Sequence, residues 1–268
     1  MKATFIDIGN LNNVYKLEIE SNTYFMKHYG DIRKSTPGIK SIGDLGDRCQ
    51  RERDAINFYR EHLNPINFPK IVHEGKDLTV FTSVGEDSLL NILLGDFDED
   101  KMCDFQYKFA DMLRELHKYK VDFNDDKLDE RFYKFRTASN LKQATGLYDK
   151  SKFCVINGDL NPRQIFINND NFGLCDFEFT GMGLPGYDVG FYLANLHIIN
   201  HTKGGLKKVI DSFEYKPEYT DFFIGTSILN RIEGVPVEPW IKTDGLKELA
   251  DKFIGGRKWC GLLRYYHL

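Results

Sequence analysis

Three absences narrow the reading of this chain of 268 residues before any motif is considered. There is no run of about 18 apolar residues of the kind a membrane-spanning helix needs, and the opening Met1-Lys2-Ala3-Thr4-Phe5 lacks the apolar stretch of a secretory leader. Membrane insertion is therefore not expected, and a cytoplasmic protein is. Cysteine is scarce and odd in number: Cys49, Cys103, Cys154, Cys175 and Cys260 fall into no C-x-x-C or Cys/His spacing. That argues against a thiolate metal centre and for a reducing compartment. Dense positive charge is missing too. A net charge of −4 and a pI near 6.0 exclude a general polyanion binder, so nucleic acid is not an expected partner. Internal repeats and low-complexity tracts are also absent, and nothing in the sequence indicates an oligomeric state.

What is present is an ordinary globular balance of 41% apolar and 28% charged residues, in a chain long enough for one large domain or for two lobes sharing a cleft. Residues 5–8, 14–20 and 23–28 are short β-branched or aromatic runs separated by turn residues, and predict a three-strand meander. Residues 47–63 place Ala55, Ile56, Tyr59 and Leu63 at helical spacing, and 70–73 and 78–81 read as two further strands around a turn at 74–77. A first lobe of five antiparallel strands plus one helix is thus expected over residues 1–84. From 85 to 268 the texture becomes helical, at 89–94, 102–119 and 125–148, with Phe105, Phe109, Met112, Leu113 and Leu116 forming an apolar stripe. The expected class is α+β, with the second lobe mainly helical.

The chemistry concentrates in two acidic loops of that second part. Asn157-Gly158-Asp159-Leu160-Asn161-Pro162-Arg163-Gln164 follows one apolar strand, and Cys175-Asp176-Phe177-Glu178 follows another. The residues between suit a hairpin, with 164–167 and 172–175 flanking 168–171, which returns both loops to one end of the structure. Asp159, Gln164 and Asp176 can then converge. Phosphoryl transfer requires such a meeting, because an aligned hydroxyl and divalent cations on the phosphate oxygens call for hard oxygen ligands. No Ser, Cys or His arrangement suggests a covalent intermediate.

These loops, with Pro185-Gly186-Tyr187-Asp188-Val189-Gly190 after them, resemble the aminoglycoside phosphotransferase and choline kinase superfamily, a group with a two-lobed protein-kinase-like fold. Gly9-Asn10-Leu11-Asn12-Asn13-Val14-Tyr15 is similar to its phosphate-covering hairpin, most closely as found in methylthioribose kinase. The resemblance implies an ATP- or GTP-dependent, Mg²⁺-dependent kinase acting on a hydroxyl of a small molecule such as a sugar, an amino alcohol or an aminoglycoside. It implies Asp159 as the residue that positions the hydroxyl and accepts its proton, and Asp176 and Gln164 as metal ligands. It implies Lys27 on the phosphates with Glu52 holding it, Gly9 and Asn13 in the covering hairpin, and Thr82, Ser83 and Val84 at the adenine. Asn157, Glu178 and Asp188 would support the loops from behind.

Two positions depart from the family pattern. Asn157 stands where the family commonly has His before Gly-Asp, and Gln164 stands where it commonly has Asn, its extra methylene displacing the ligand oxygen. Both departures favour the alternative of a nucleotide-binding pseudokinase. A protein kinase is disfavoured, since so little chain separates Asp176 from Pro185. Each residue also has a plain structural reading. A strand lysine such as Lys27 is ordinarily exposed, Glu52 lies in a charged run that reads as a solvated helix face, and Asp188 reads as an N-cap for a helix starting at Val189. His117 reads as helix-end packing, and His73 and His197 as partly buried ring contacts.

Overall fold

The computed structural model describes residues 2–8, 12–29, 48–63, 66–121, 149–168, 171–233 and 238–254. Gly9, the helix expected at 125–148 and Cys260 lie outside them. Five strands, β1 (Lys2–Ile8), β2 (Asn12–Ile19), β3 (Asn22–Tyr29), β4 (Ile71–Glu74) and β5 (Leu78–Thr82), form one antiparallel sheet in the order β1-β2-β3-β5-β4. This is the sheet the alternating runs predict. In β3 the period of two puts Lys27 and Tyr29 on the buried face and His28 on the outer one. Lys27, only 7% exposed, is thus not the solvent-facing lysine of the plain reading.

Helix α1 (Arg48–His62) packs on this sheet and buries Arg51, Glu52 and Arg53 along with Ala55, Ile56 and Tyr59. Its charged run is no solvated face. Arg53 explains how such a helix can be buried: its Nε donates to Thr79 Oγ1 at 2.9 Å and its guanidinium also reaches the Leu78 carbonyl at 2.7 Å. The charge is spent on tying α1 to β5, so burial leaves its donors paired.

Beyond the sheet come β6 (Asp87–Ser88), α2 (Leu89–Leu94) and α3 (Glu99–Leu116). Ser88 and Asp98 cap the two helices through their side-chain oxygens. The predicted stripe of α3 is wholly buried. Strands β7 (Cys154–Ile156), β8 (Ile165–Asn168), β9 (Asn171–Leu174) and β10 (Gly181–Gly183) follow. The β8–β9 pair is the hairpin expected between the acidic loops, β6 joins its edge, and β10 pairs with β7. The strands β6 and β10, of two and three residues, had no counterpart in the sequence pattern.

Helices α4 (Pro185–Lys203), α5 (Lys207–Asp211), α6 (Thr220–Glu233) and α7 (Leu246–Ile254) complete the described chain. Helix α4 is buried on nearly every side, from Gly186 through Ile199. It begins at Pro185, whose missing N–H suits a first helical turn. Asp188 therefore lies inside the helix and is fully buried, not at its cap. His73 is exposed on β4, against expectation, while His197 is partly buried with its ring 4.7 Å from that of Phe253, as expected.

Candidate active site

Lys27 is the hub of a buried charge cluster between the sheet and the second acidic loop. Its Nζ donates to Glu52 Oε2 at 2.8 Å, forms an ion pair with Asp176 Oδ1, and lies 3.5 Å from Glu178 Oε2. Burial alone would lower its pKa, but the carboxylates of Asp176, Glu178 and Glu52 outweigh that and hold the ammonium protonated well above the usual lysine range. Glu52 is shared: Oε2 also accepts from Tyr29 Oη, and Oε1 accepts from the Phe177 N–H at 3.0 Å. One carboxylate thereby joins β3, α1 and the Asp176 loop.

Glu178 is held the same way from the opposite side. Asn12 Nδ2, at the start of β2, donates to both its oxygens at 3.0 and 2.8 Å, and Arg48 reaches it at 3.3 Å while donating to Asn12 Oδ1 at 3.0 Å. Burial pushes the Glu178 carboxyl up to about 7 despite Lys27 and Arg48. Phe177, between the two acids, is fully buried against Tyr59, ring centroids 4.8 Å apart. Asp176 itself adopts the left-handed conformation, φ +67°, which Asp tolerates better than most residues. One carboxylate oxygen from each of Glu52, Asp176 and Glu178 lies within 4.8 Å of the other two. Only Asp176 opens toward solvent, its side chain 30% exposed against 2% and 3% for the other two. Of the three it alone can serve a ligand in the cleft, and its hard oxygens fit a divalent cation.

The first acidic loop is built on Asp188. Its Oδ2 accepts from the Asn157 N–H at 2.7 Å and its Oδ1 from the Gly158 N–H at 2.8 Å. His117, at the end of α3, lies 3.3 Å from Oδ2 and 3.1 Å from Tyr215 Oη through its other ring nitrogen. Gly158 takes φ +83°, and Asn157 Oδ1 accepts from the Asp159 N–H at 3.1 Å. A single 3-10 turn, Pro162–Gln164, follows, capped by Asn161. From it the Gln164 amide nitrogen donates to Asp159 Oδ2 at 3.1 Å and to Asp176 Oδ2 at 2.8 Å. The two acids thus meet on one nitrogen. The amide oxygen expected to face a second cation accepts instead from the Asn161 N–H at 3.3 Å.

Thr82, Ser83 and Val84 lead out of β5 toward the helical part. The Val84 carbonyl is taken by the side-chain amides of Asn67, at 3.1 Å, and Asn168. Asn13 pairs with His28 across β2 and β3, next to the segment 9–11 that lies outside the described residues.

Comparison with protein families decides what this arrangement belongs to: the model described as "Phosphotransferase enzyme family" (APH) matches residues 2–203. The chain belongs to that family. As a member of the phosphotransferase enzyme family it is an enzyme that transfers a phosphoryl group, as the two loops led one to expect. A comparison with curated proteins gives no match. Among solved structures it is similar to ADP-bound aminoglycoside phosphotransferase APH(2'')-Ib, with a TM-score of 0.54 and 15% identity over 95% of this chain and 92% of that one. It is similar to amicoumacin kinase hAmiN in complex with AMP-PNP, Ca²⁺ and Ami, TM-score 0.57 and 13% identity over 94% and 86%. It is also similar to choline kinase LicA from Streptococcus pneumoniae, TM-score 0.56 and 12% identity over 95% and 93%. At such identities the likeness concerns the fold, which is the two-lobed protein-kinase-like one.

Within this phosphotransferase, sequence reasoning missed Asn12, Tyr29, Arg48 and Tyr215 and gave His117 a packing role only. Asn12 sat inside the quoted hairpin motif, and a polar residue opening a strand beside a glycine turn was the signal available for it. For Arg48 and Tyr215 the sequence holds none.

Proposed function

We propose that this phosphotransferase moves the γ-phosphoryl group of a nucleoside triphosphate, ATP or GTP with Mg²⁺, onto a hydroxyl of a small polar molecule of the sugar, amino alcohol or aminoglycoside class. The observation that carries the reading is the meeting of Asp159 and Asp176 on the Gln164 nitrogen, beside a lysine paired to Asp176. In-line transfer needs a proton acceptor and a cation-holding carboxylate side by side, next to fixed positive charge for the phosphates.

In this reading Asp159 orients the acceptor hydroxyl and takes its proton, with its loop held by Asp188 and Asn157. Asp176 is the residue that would hold the divalent cation, which when bound supplies positive charge to the phosphate oxygens. Lys27 neutralises the α- and β-phosphates, and Glu52 and Glu178 fix its position. Thr82, Ser83 and Val84 border the base, and Asn13 with Gly9 covers the phosphates. The short link from Asp176 through β10 to Pro185 supports a small acceptor over a protein one, because it leaves no length for a peptide-binding segment. Among the described residues Cys103, Cys154 and Cys175 form no disulfide, which supports a cytoplasmic setting, and no helix of these residues is long and apolar enough to cross a membrane.

The test is a coupled assay of ADP or GDP release over a panel of sugars, amino alcohols and aminoglycosides, with Asp159→Asn as the comparison. Turnover should fall by about 100-fold or more in the variant, while AMP-PNP affinity stays within a few-fold. Nucleotide binding without turnover on any acceptor would replace this reading with that of a pseudokinase.

A further inference from the structure

We infer that the side-chain amide of Gln164 replaces a second divalent cation, so that this chain binds its nucleotide with a single tightly held ion, on Asp176. The inference rests on the proposed phosphotransfer reading and deepens it at the same site.

An amide nitrogen carries two N–H donors and no acceptor. Here each donor has its own target, Asp159 Oδ2 at 3.1 Å and Asp176 Oδ2 at 2.8 Å. The amide oxygen is equally committed, to the Asn161 N–H at 3.3 Å, in a reciprocal capping box in which Asn161 Oδ1 accepts from the Arg163 N–H at 3.1 Å. Turning the amide over would set its oxygen against two carboxylates and face its N–H₂ toward a backbone N–H. All three contacts would become repulsive together, so the network fixes the orientation.

The backbone offers no escape either. Pro162 stiffens the turn, the Gln164 N–H donates to the Asn161 carbonyl at 2.8 Å, and the Gln164 carbonyl accepts from the Cys175 N–H at 3.0 Å. The side chain is therefore presented from a fixed point between the two acidic loops. Two carboxylates brought this close need positive charge between them. A divalent cation can supply it, and so can two aligned N–H groups. Gln164 supplies the latter, and its length lets the nitrogen reach both acids while the oxygen still closes the capping box. Asparagine, one methylene shorter, cannot span the same three partners from this turn.

The experiment counts Mn²⁺ bound per AMP-PNP by the EPR signal of the free ion, on the intact chain saturated with nucleotide. One Mn²⁺ per nucleotide is expected for the wild type, and two for Gln164→Asn, whose oxygen is released from the capping box. Two ions of similar affinity on the wild type would overturn the inference and leave the phosphotransfer reading standing. A single ion on both proteins would overturn the assignment of the exclusion to the Gln164 amide. Failure of the wild type to bind AMP-PNP with any Mn²⁺ would remove both readings. The wild-type count does not depend on how well the variant folds.

Discussion

Glu52 grips Lys27 with one carboxylate oxygen, at 2.8 Å, and the Phe177 N–H with the other, at 3.0 Å. Both oxygens are acceptors for buried donors, so Glu52→Gln must turn an N–H₂ group toward at least one of them. Removing one partner of a buried ion pair costs roughly 3–5 kcal/mol. Since Lys27 keeps Asp176 and Glu178, about 2 kcal/mol is expected here, or a thermal midpoint lowered by about 5 °C. Lys27 should also be drawn toward the remaining acids and away from phosphate, raising KM for nucleotide about tenfold. A KM within twofold of wild type would show that Glu52 does not position Lys27.

Asp188 ties down the loop that carries Asp159, and its effect should appear in turnover more than in nucleotide binding. Both its oxygens accept backbone N–H groups, and His117 adds a third partner, all in a fully buried setting. Asp188→Asn keeps one acceptor and faces an N–H₂ group at the other N–H. The expected cost is about 2 kcal/mol of stability, with kcat down about tenfold or more. KM for nucleotide should hold, because Lys27 and Asp176 are untouched. Steady-state kinetics at saturating acceptor separates the two parameters, and an equal loss in both would reject the positioning role.

The sheet and the meeting of the two loops were legible because local signals fixed them. Period-two runs gave β1 to β5, and a hairpin of residues 165–174 forces the loops at its two ends together. Lys27 and Glu52 were legible only through resemblance, since the pattern around each argued for exposure. Their burial comes from partners far along the chain, Asp176 for Lys27 and the Phe177 N–H for Glu52. Asn12, Arg48 and His117 were hidden for the same reason: the contact of Asn12 with Glu178 spans 166 positions, and that of Arg48 spans 130. Spacing rules read faces of single elements, and such contacts depend on how elements dock. Asp188 misled because Asp before an apolar run is a good cap in isolation, and the true helix start lies at Pro185, within the turn before it.

Gly158 allows a direct test of how tightly the first loop is wedged. At φ +83° a side chain is already strained, and a Cβ there would stand 2.3 Å from the Phe179 carbonyl oxygen. Gly204 has nearly the same φ, +81°, at the end of α4, with nothing within 4 Å of its would-be Cβ. Gly204→Ala should therefore cost only the backbone strain of its φ +81°, ψ 177° conformation, which glycine alone adopts freely, about 1–3 kcal/mol, and leave turnover unchanged. Gly158→Ala must displace either the Phe179 backbone or its own loop, moving Asp159 out of line. A loss of about 100-fold in kcat is expected, with a larger fall in thermal midpoint than for Gly204→Ala. Equal effects of the two substitutions would mean that conformation, not the Phe179 contact, sets the cost.

His197 gives the fold a dependence on pH that is separate from the site. Burial in α4, reinforced by Lys216 and only partly opposed by Asp211 and Asp221, lowers its pKa from 6.5 to about 4. The folded protein thus keeps His197 neutral where the unfolded chain would protonate it. Its contribution is fully present above pH 6.5 and is lost as pH falls from there toward 4, where both states bind the proton. The full amount is on the order of 3 kcal/mol, and the part lost by pH 4.5 corresponds to about 5 °C in thermal midpoint. His197→Gln removes the titration while keeping a polar side chain of similar length beside Phe253. Melting curves between pH 7.5 and 4.5 should therefore show the wild type losing about 5 °C more than the variant. Parallel slopes would mean that His197 is as easily protonated in the folded protein as in the unfolded chain, and that the packing of α4 against Phe253 leaves the ring open to water.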